Sequence, residues 1–174
     1  MRIAVTGTPG TGKTTVTRLL EGRLEGVDVE HLNDRIEDES LYTAVDEDRD
    51  SLIVDLDELR DVLAGRTNVL FESHFAHHLP ADRVVVLRCH PETIERRLRE
   101  RGEPAPKARE NAESEALDLI LSESVTHHGL DSVYEIDTTD RSPPDVASAI
   151  EDVLEGTRSP SAGTVDFMGY LERP

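Results

Sequence analysis

Eight consecutive residues, Gly7 to Thr14, spell Gly-Thr-Pro-Gly-Thr-Gly-Lys-Thr, a complete Gly-x-x-x-x-Gly-Lys-Thr phosphate loop. The run before it, Ile3-Ala4-Val5-Thr6, has the apolar character of a buried strand, and an amphipathic stretch begins near Thr15. Strand, glycine loop and helix together make the context in which this motif forms a site. The glycines let backbone N–H groups turn inward around phosphate oxygens at a helix N-terminus. Gly10, Gly12, Lys13, Thr14 and Thr15 are therefore the expected triphosphate contacts. Lys13 would reach the β- and γ-phosphates as a point charge, and the Thr14 hydroxyl would ligate Mg²⁺. Such an opening commits the chain to an α/β fold that binds a nucleoside triphosphate.

The remaining chain alternates in the same manner. Residues 3–6, 27–29, 68–72, 84–87 and 133–136 have strand character, and residues 52–54 are extended. Four successive apolar residues, Val84-Val85-Val86-Leu87, are what a parallel strand covered on both faces demands. Helices are predicted over 13–24, with Val16, Leu19, Leu20 and Leu24 inward, and over 57–64. Further helices are predicted over 91–101 (opened by Pro91 and closed by Gly102), 108–126 and 143–154. β-α-β alternation implies a parallel five-stranded sheet flanked by helices, right-handed crossovers and a ligand at the carboxyl edge of the strands. One domain over 1–155 is expected, with a Ser/Pro/Gly-rich tail over 156–174, loose or docked through Phe167, Met168, Tyr170 and Leu171.

Charge and composition exclude several classes. The chain carries 37 acidic against 19 basic residues, a formal charge of −18, and only two lysines, Lys13 and Lys107. The acids are dispersed rather than gathered in a tail, which favours a halophile's surface over an acidic face for a basic partner. Such a field opposes sequence-specific binding to bare nucleic acid. A single cysteine, Cys89, excludes an intrachain disulfide and a Cys-x-x-Cys zinc lid. No segment has the length and apolarity of a membrane span, and the first strand begins without room for a signal peptide, so a cytoplasmic location is expected.

Two polar excursions break the alternation, over residues 30–50 and 102–107. Together with Leu41-Tyr42, Asp46-Glu47, Ile53-Val54-Asp55-Leu56-Asp57, Glu72-Ser73-His74, Arg97-Leu98, Arg101-Gly102 and Lys107…Glu110-Asn111, they make the sequence resemble the nucleoside monophosphate kinases. Among these it is most similar to the adenylate kinase isoenzyme 6 family of archaea and eukaryotic nuclei. The resemblance implies a monophosphate-binding flap over about 30–52 and a lid over about 101–110. It implies that Asp34 and Arg97 contact the monophosphate, that Arg101 acts in the lid, and that Arg141 covers the adenine of ATP. At the end of the 68–72 strand the family carries Asp-x-His; here Glu72 stands in place of Asp, facing the metal, and His74 would orient a water or an acceptor phosphate. Ile53-Val54-Asp55 also fits the apolar-run-then-Asp pattern of a metal-binding strand, but it follows the acidic stretch rather than a crossover helix, and the resemblance implies that Asp55 belongs to the monophosphate side. His77 and His78 are expected to be loop histidines without chemistry, and a zinc site made from them and His74 lacks a fourth ligand of fitting spacing.

These residues imply reversible, Mg²⁺-dependent phosphoryl transfer between ATP and AMP or another monophosphate, with accompanying ATP hydrolysis. The resemblance adds a role in late maturation of the small ribosomal subunit, through transient contact with a platform ribosomal protein of the S-eleven family. The alternative is an ATP-driven assembly switch with little kinase role. Nothing in residues 30–50 reads one base edge, so the acceptor nucleotide stays open.

Overall fold

The computed structural model describes residues 1–46 and 51–172. Residues 47–50 of the acidic stretch, with Glu47 of the Asp46-Glu47 pair, lie outside them. Strands β1 (Arg2–Thr6), β2 (Asp28–His31), β5 (Val69–Glu72), β6 (Arg83–Arg88) and β7 (Val133–Asp137) form one parallel sheet in the order β2-β5-β1-β6-β7. The expected five-stranded parallel sheet is present. Residues 52–54 stay out of it: β3 (Tyr42–Asp46) and β4 (Ser51–Val54) pair antiparallel as a separate hairpin.

Alternation along the strands sends side chains to two cores. On one face Ala4, Phe71, Val84, Val86 and Val133 pack with residues of α2 (Leu32–Glu39), α3 (Leu56–Leu63) and α6 (Leu119–His128). On the other, Ile3, Val5, Leu70, Val85, Leu87 and Ile136 pack with α1 (Lys13–Glu21) and α7 (Pro143–Glu155). A smaller cluster joins Cys89 to α4 (Pro91–Glu100) and α5 (Ala105–Ala116) through Ile94, Leu98 and Ala108. Helix starts follow their capping chemistry. Asp55 accepts from the N–H groups of Asp57 and Glu58, Ser142 accepts from that of Asp145, and Pro91 and Pro143 occupy first turns.

Three expectations are corrected. Leu19 is exposed, and Thr17 takes the inward place on α1, its hydroxyl returned to the Lys13 carbonyl at 3.0 Å; helical spacing from Lys13 through Val16 and Leu20 selects Thr17. The acidic stretch contains α2, whose Leu32 and Ile36 are buried. The single helix over 108–126 is two helices. Buried Arg88 draws in the Glu115 carboxylate (2.8 Å), the Glu115 carbonyl (3.1 Å) and the Asp118 carboxylate. Asp118 adopts a left-handed backbone, φ 55°, and the chain turns there into α6.

The tail packs over this same cluster. Thr164 donates to Glu135 through its N–H (2.6 Å) and hydroxyl (2.8 Å), Arg88 lies over the Phe167 ring, and the Tyr170 hydroxyl donates to Glu95 at 2.8 Å. Among the described residues, no helix is long and apolar enough to cross a membrane.

Candidate active site

The phosphate loop is shaped by one close approach. Gly7 has φ 143°, and a Cβ there would stand 2.4 Å from the Leu87 carbonyl of β6, so only glycine lets the loop cross its neighbouring strand. Gly12 then caps α1 at φ 95°, turning Lys13 and Thr14 into the helix's first turn. The loop is held from outside by side chains. Arg97 Nη1 donates to the Gly10 carbonyl (2.9 Å), Thr138 Oγ1 to the Thr11 carbonyl (3.1 Å), and the Thr8 hydroxyl to the Glu115 carboxylate.

Lys13 is buried, with Nζ donating to the carbonyls of Gly7 (2.6 Å) and Thr8 (3.1 Å). Burial pulls its ammonium down to about 8; the carboxylates of Glu72 and Glu115 oppose that, and Arg101 adds to it. Glu72 ends β5, beside the β1 strand that feeds the loop, and its Oε1 accepts from the Thr14 hydroxyl at 3.0 Å. The same oxygen lies 2.9 Å from His31 Nδ1, and His31 Nε2 is 2.7 Å from Glu21 Oε1. Burial alone would lower the His31 pKa, but the hydrogen bonds to Glu72 and Glu21 outweigh it and raise it. Thr14 and Glu72 together offer hard oxygen donors beside the phosphate-binding amides, a donor set that suits Mg²⁺.

His74 stands next along the chain's exit from β5, its ring edge-on to Phe75 at 5.1 Å. Solvent reaches it through the cleft, yet the protein walls around it desolvate an imidazolium. That desolvation, then the charges of Lys13, His77 and His78, push its pKa down to about 4. A neutral imidazole therefore faces the cleft at neutral pH.

A cleft of about 420 Å³ gathers these groups. It is lined by Gly10, Gly12, Lys13, Thr14 and Thr15 on the loop side and by Asn33, Glu72, His74 and Arg101 opposite. A second cavity, of about 390 Å³, includes Thr11, Val16, Arg97, Thr138, Arg141 and Val146. The two share Gly12, Thr15 and Arg101. The arrangement suits a triphosphate at the shared boundary, a nucleoside in the second cavity and an acceptor in the first.

Most of the sequence-predicted residues converge here, and four, Arg97, Asp34, Asp55 and Arg141, do not line the first cleft. Arg97 lines the second cavity and donates to the Gly10 carbonyl. Asp34 is exposed on α2, and its neighbour Asn33 lines the cleft instead, with its Oδ1 accepting from Ser73 at 3.0 Å. Asp55 is the cap of α3. Arg141 lines the second cavity, donating to the Asp145 carbonyl at 3.1 Å. Residues 101–104 connect α4 to α5, which begins at Ala105, so most of the segment expected as a lid over about 101–110 is helical. Sequence reasoning missed His31 and Asn33. His31 pairs in register with Glu72 across β2 and β5, and no local pattern marks such a pair.

Comparison with known proteins shows the family and the fold. A family model described as an AAA domain matches residues 3–118. The protein named "Putative adenylate kinase" of Natronomonas pharaonis is 60% identical over 171 residues, covering 98% of this chain and 100% of that protein. Its namesake in Halobacterium salinarum is 62% identical over 173 residues, with 98% and 100% covered. The one in Methanocaldococcus jannaschii is 38% identical over 173 residues, covering 96% and 93%. Among solved structures, the shikimate kinase of Acinetobacter baumannii in complex with shikimate superposes with a TM-score of 0.64 at 19% identity, covering 90% of this chain and 94% of that one. The shikimate kinase of Bacteroides thetaiotaomicron gives 0.57 at 19% identity, over 89% and 98%. At such identity the likeness is one of fold.

Proposed function

This chain belongs to the AAA domain family and, within it, to the archaeal proteins named putative adenylate kinases, and on that premise we propose that it transfers the γ-phosphoryl group of ATP reversibly to a nucleoside monophosphate, AMP first. The observation that carries the reading is the 3.0 Å contact between Thr14 and Glu72 beside buried Lys13, within a cleft that also holds His74 and Arg101. A phosphoryl group in transit needs little covalent help; it needs positive charge, oriented donors and the exclusion of water.

Each residue has a part in that transfer. The loop amides and Lys13 bind the β- and γ-phosphates, and Arg101, at the boundary of both cavities, spans donor and acceptor with a planar guanidinium. Thr14 and Glu72 would hold Mg²⁺, with His31 orienting Glu72. When bound, the ion neutralises charge on the β- and γ-phosphate oxygens. A phosphate oxygen of AMP attacks the γ-phosphorus in line, the bond to the β-phosphate oxygen breaks, and two ADP result. Asn33 and His74 face the acceptor's position. Neutral His74 can orient a water by hydrogen bonding without adding charge, which supports accompanying ATP hydrolysis when no acceptor is bound. Arg141 and Val146 wall the nucleoside of ATP. Arg97 acts by bracing the loop at Gly10.

The finer assignment to the isoenzyme 6 family rests on Glu72-Ser73-His74 in the acid-x-His position. Support for a small-subunit ribosomal protein as partner consists of that resemblance and an acidic surface alone, and a pure assembly switch draws on the same support. An assay with Mg-ATP and AMP, each other monophosphate, or no acceptor separates these readings. ADP formed at two per AMP consumed is the expected result. Phosphate release unaffected by any monophosphate would overturn the kinase reading in favour of an ATPase switch.

A further inference from the structure

The two histidines set aside as loop residues meet a second element. His77 and His78 lie on the short turn Ala76–His78, and α6 places Glu123 and His127 against them. His77 Nε2 is 2.9 Å and His78 Nε2 is 3.8 Å from Glu123 Oε2. One ligand atom from each of the three falls within 4.8 Å of the other two. We propose that His77, His78 and Glu123 form a binding site for a divalent transition ion of the zinc class, separate from the phosphate cleft.

Donor chemistry and spacing both fit. Two imidazoles and one carboxylate form a three-ligand zinc set that leaves a fourth position for water. Bonds of about 2.0–2.2 Å put ligand atoms on one tetrahedral ion roughly 3.3 Å apart, between the two separations to Glu123 Oε2. Glu123 is half exposed and can adjust, while His77 is buried and fixed. Nitrogen donors select against Mg²⁺ and Ca²⁺, which prefer oxygen throughout.

The outer partners of both imidazoles are in place for metal-binding tautomers. Thr6 Oγ1 donates to the His74 carbonyl at 3.2 Å and lies 2.9 Å from His77 Nδ1. With Nδ1 protonated and donating to that hydroxyl, the Nε2 lone pair faces the Glu123 carboxylate, the tautomer in which His77 can ligate. His78 Nδ1 is 3.3 Å from His127 Nε2, which leaves its own Nε2 to point at Glu123. Ligating histidines are commonly held in this way through their second nitrogen.

The test uses the full chain without an affinity tag, stripped with chelator, in molar KCl with excess Mg²⁺ to keep zinc from Thr14 and Glu72. Calorimetric titration with Zn²⁺ should show one saturable equivalent, and zinc should raise the thermal midpoint. The double variant His78→Ala, Glu123→Gln alters a half-buried and an exposed side chain, so it should fold and keep phosphoryl transfer, but lose at least ~100-fold in zinc affinity. Co²⁺ should give an intense tetrahedral visible spectrum in the parent and not in the variant. No saturable equivalent, an equivalent retained by the double variant, or a weak octahedral cobalt spectrum typical of surface carboxylates would overturn the site.

Discussion

Lys13, one loop beyond β1, and Arg88, the last residue of the neighbouring β6, are both cations buried at the carboxyl edge of one sheet. The fold treats them in opposite ways. Among the described residues Lys13 has no ion pair, and its hydrogen bonds go to two carbonyls. Arg88 is surrounded by carboxylates: Glu115 at 2.8 Å, Glu135 at 2.7 Å, and Asp118. Burial lowers the lysine to about 8, whereas at Arg88 the carboxylates outweigh burial and raise its pKa. A cation meant to bind a mobile anion must be left under-paired; one meant to hold helices together must be saturated. Glu115 joins the two, bonding Arg88 while reaching the loop through Thr8.

Removing Arg88 should have the largest effect on stability. Arg88→Ala leaves Glu115 and Glu135 buried without their cation, which typically costs about 3–5 kcal/mol. Urea unfolding would show it, with the α5–α6 junction loosening because Asp118 loses its anchor. A cost below about 1 kcal/mol would break the contrast, since Arg88 would then be no more structural than Lys13.

Lys13→Ala should do the reverse. Losing one preorganised charge in a closed site typically slows transfer ~10²–10³-fold, yet no carboxylate is stripped of a direct partner, so the unfolding midpoint should stay near or above that of the parent. Steady-state rates and thermal melts on the same preparation check both halves. Substantial turnover in a folded Lys13→Ala protein would remove the lysine from the site.

A smaller effect separates the two cations by pH. Folded Lys13 releases its proton near pH 8, whereas an unfolded lysine keeps it until about 10.5. Between these values the unfolded state binds more protons, so parent stability should rise with pH relative to Lys13→Met, whose advantage below pH 8 should shrink. Arg88 keeps its proton throughout, so the Arg88→Ala deficit should not follow the same curve. Parallel pH profiles for both variants would contradict the different states assigned to the two residues.

Salt should separate them least. At −18, the parent's thermal midpoint should climb from dilute buffer to molar KCl as the screening length falls. The differences between parent and either buried-cation variant should hardly move, because buried charges are poorly screened. A salt-insensitive midpoint would return the acidity to partner binding.

Legibility followed locality. The phosphate loop, the apolar strands and the caps at Pro91 and Pro143 could be read because each is a contiguous pattern acting on its own backbone. The helix break at Asp118 could not, since its cause is an arginine thirty positions earlier in the chain. Arg88 did leave a trace: it is a charge directly after the apolar run Val84-Val85-Val86-Leu87, in a place that demands partners. The resemblance assigns Arg97 to the monophosphate, whereas its bond to the Gly10 carbonyl depends on how α4 docks on the loop.

By itself, the sequence determined that a strand, a glycine loop and a helix would present backbone amides, Lys13 and Thr14 to a phosphate, because that geometry follows from the φ angles and spacing of eight adjacent residues. Tertiary structure alone decided which acid meets Thr14. Glu72 and Asp55 both end apolar runs, but β5 pairs beside β1 whereas β4 leaves the main sheet, making Asp55 a helix cap. The pairing of β2 with β5 set His31 against Glu72, and the docking of α6 set Glu123 against His77. Such contacts depend on strand order and packing between distant segments, which local propensity does not encode.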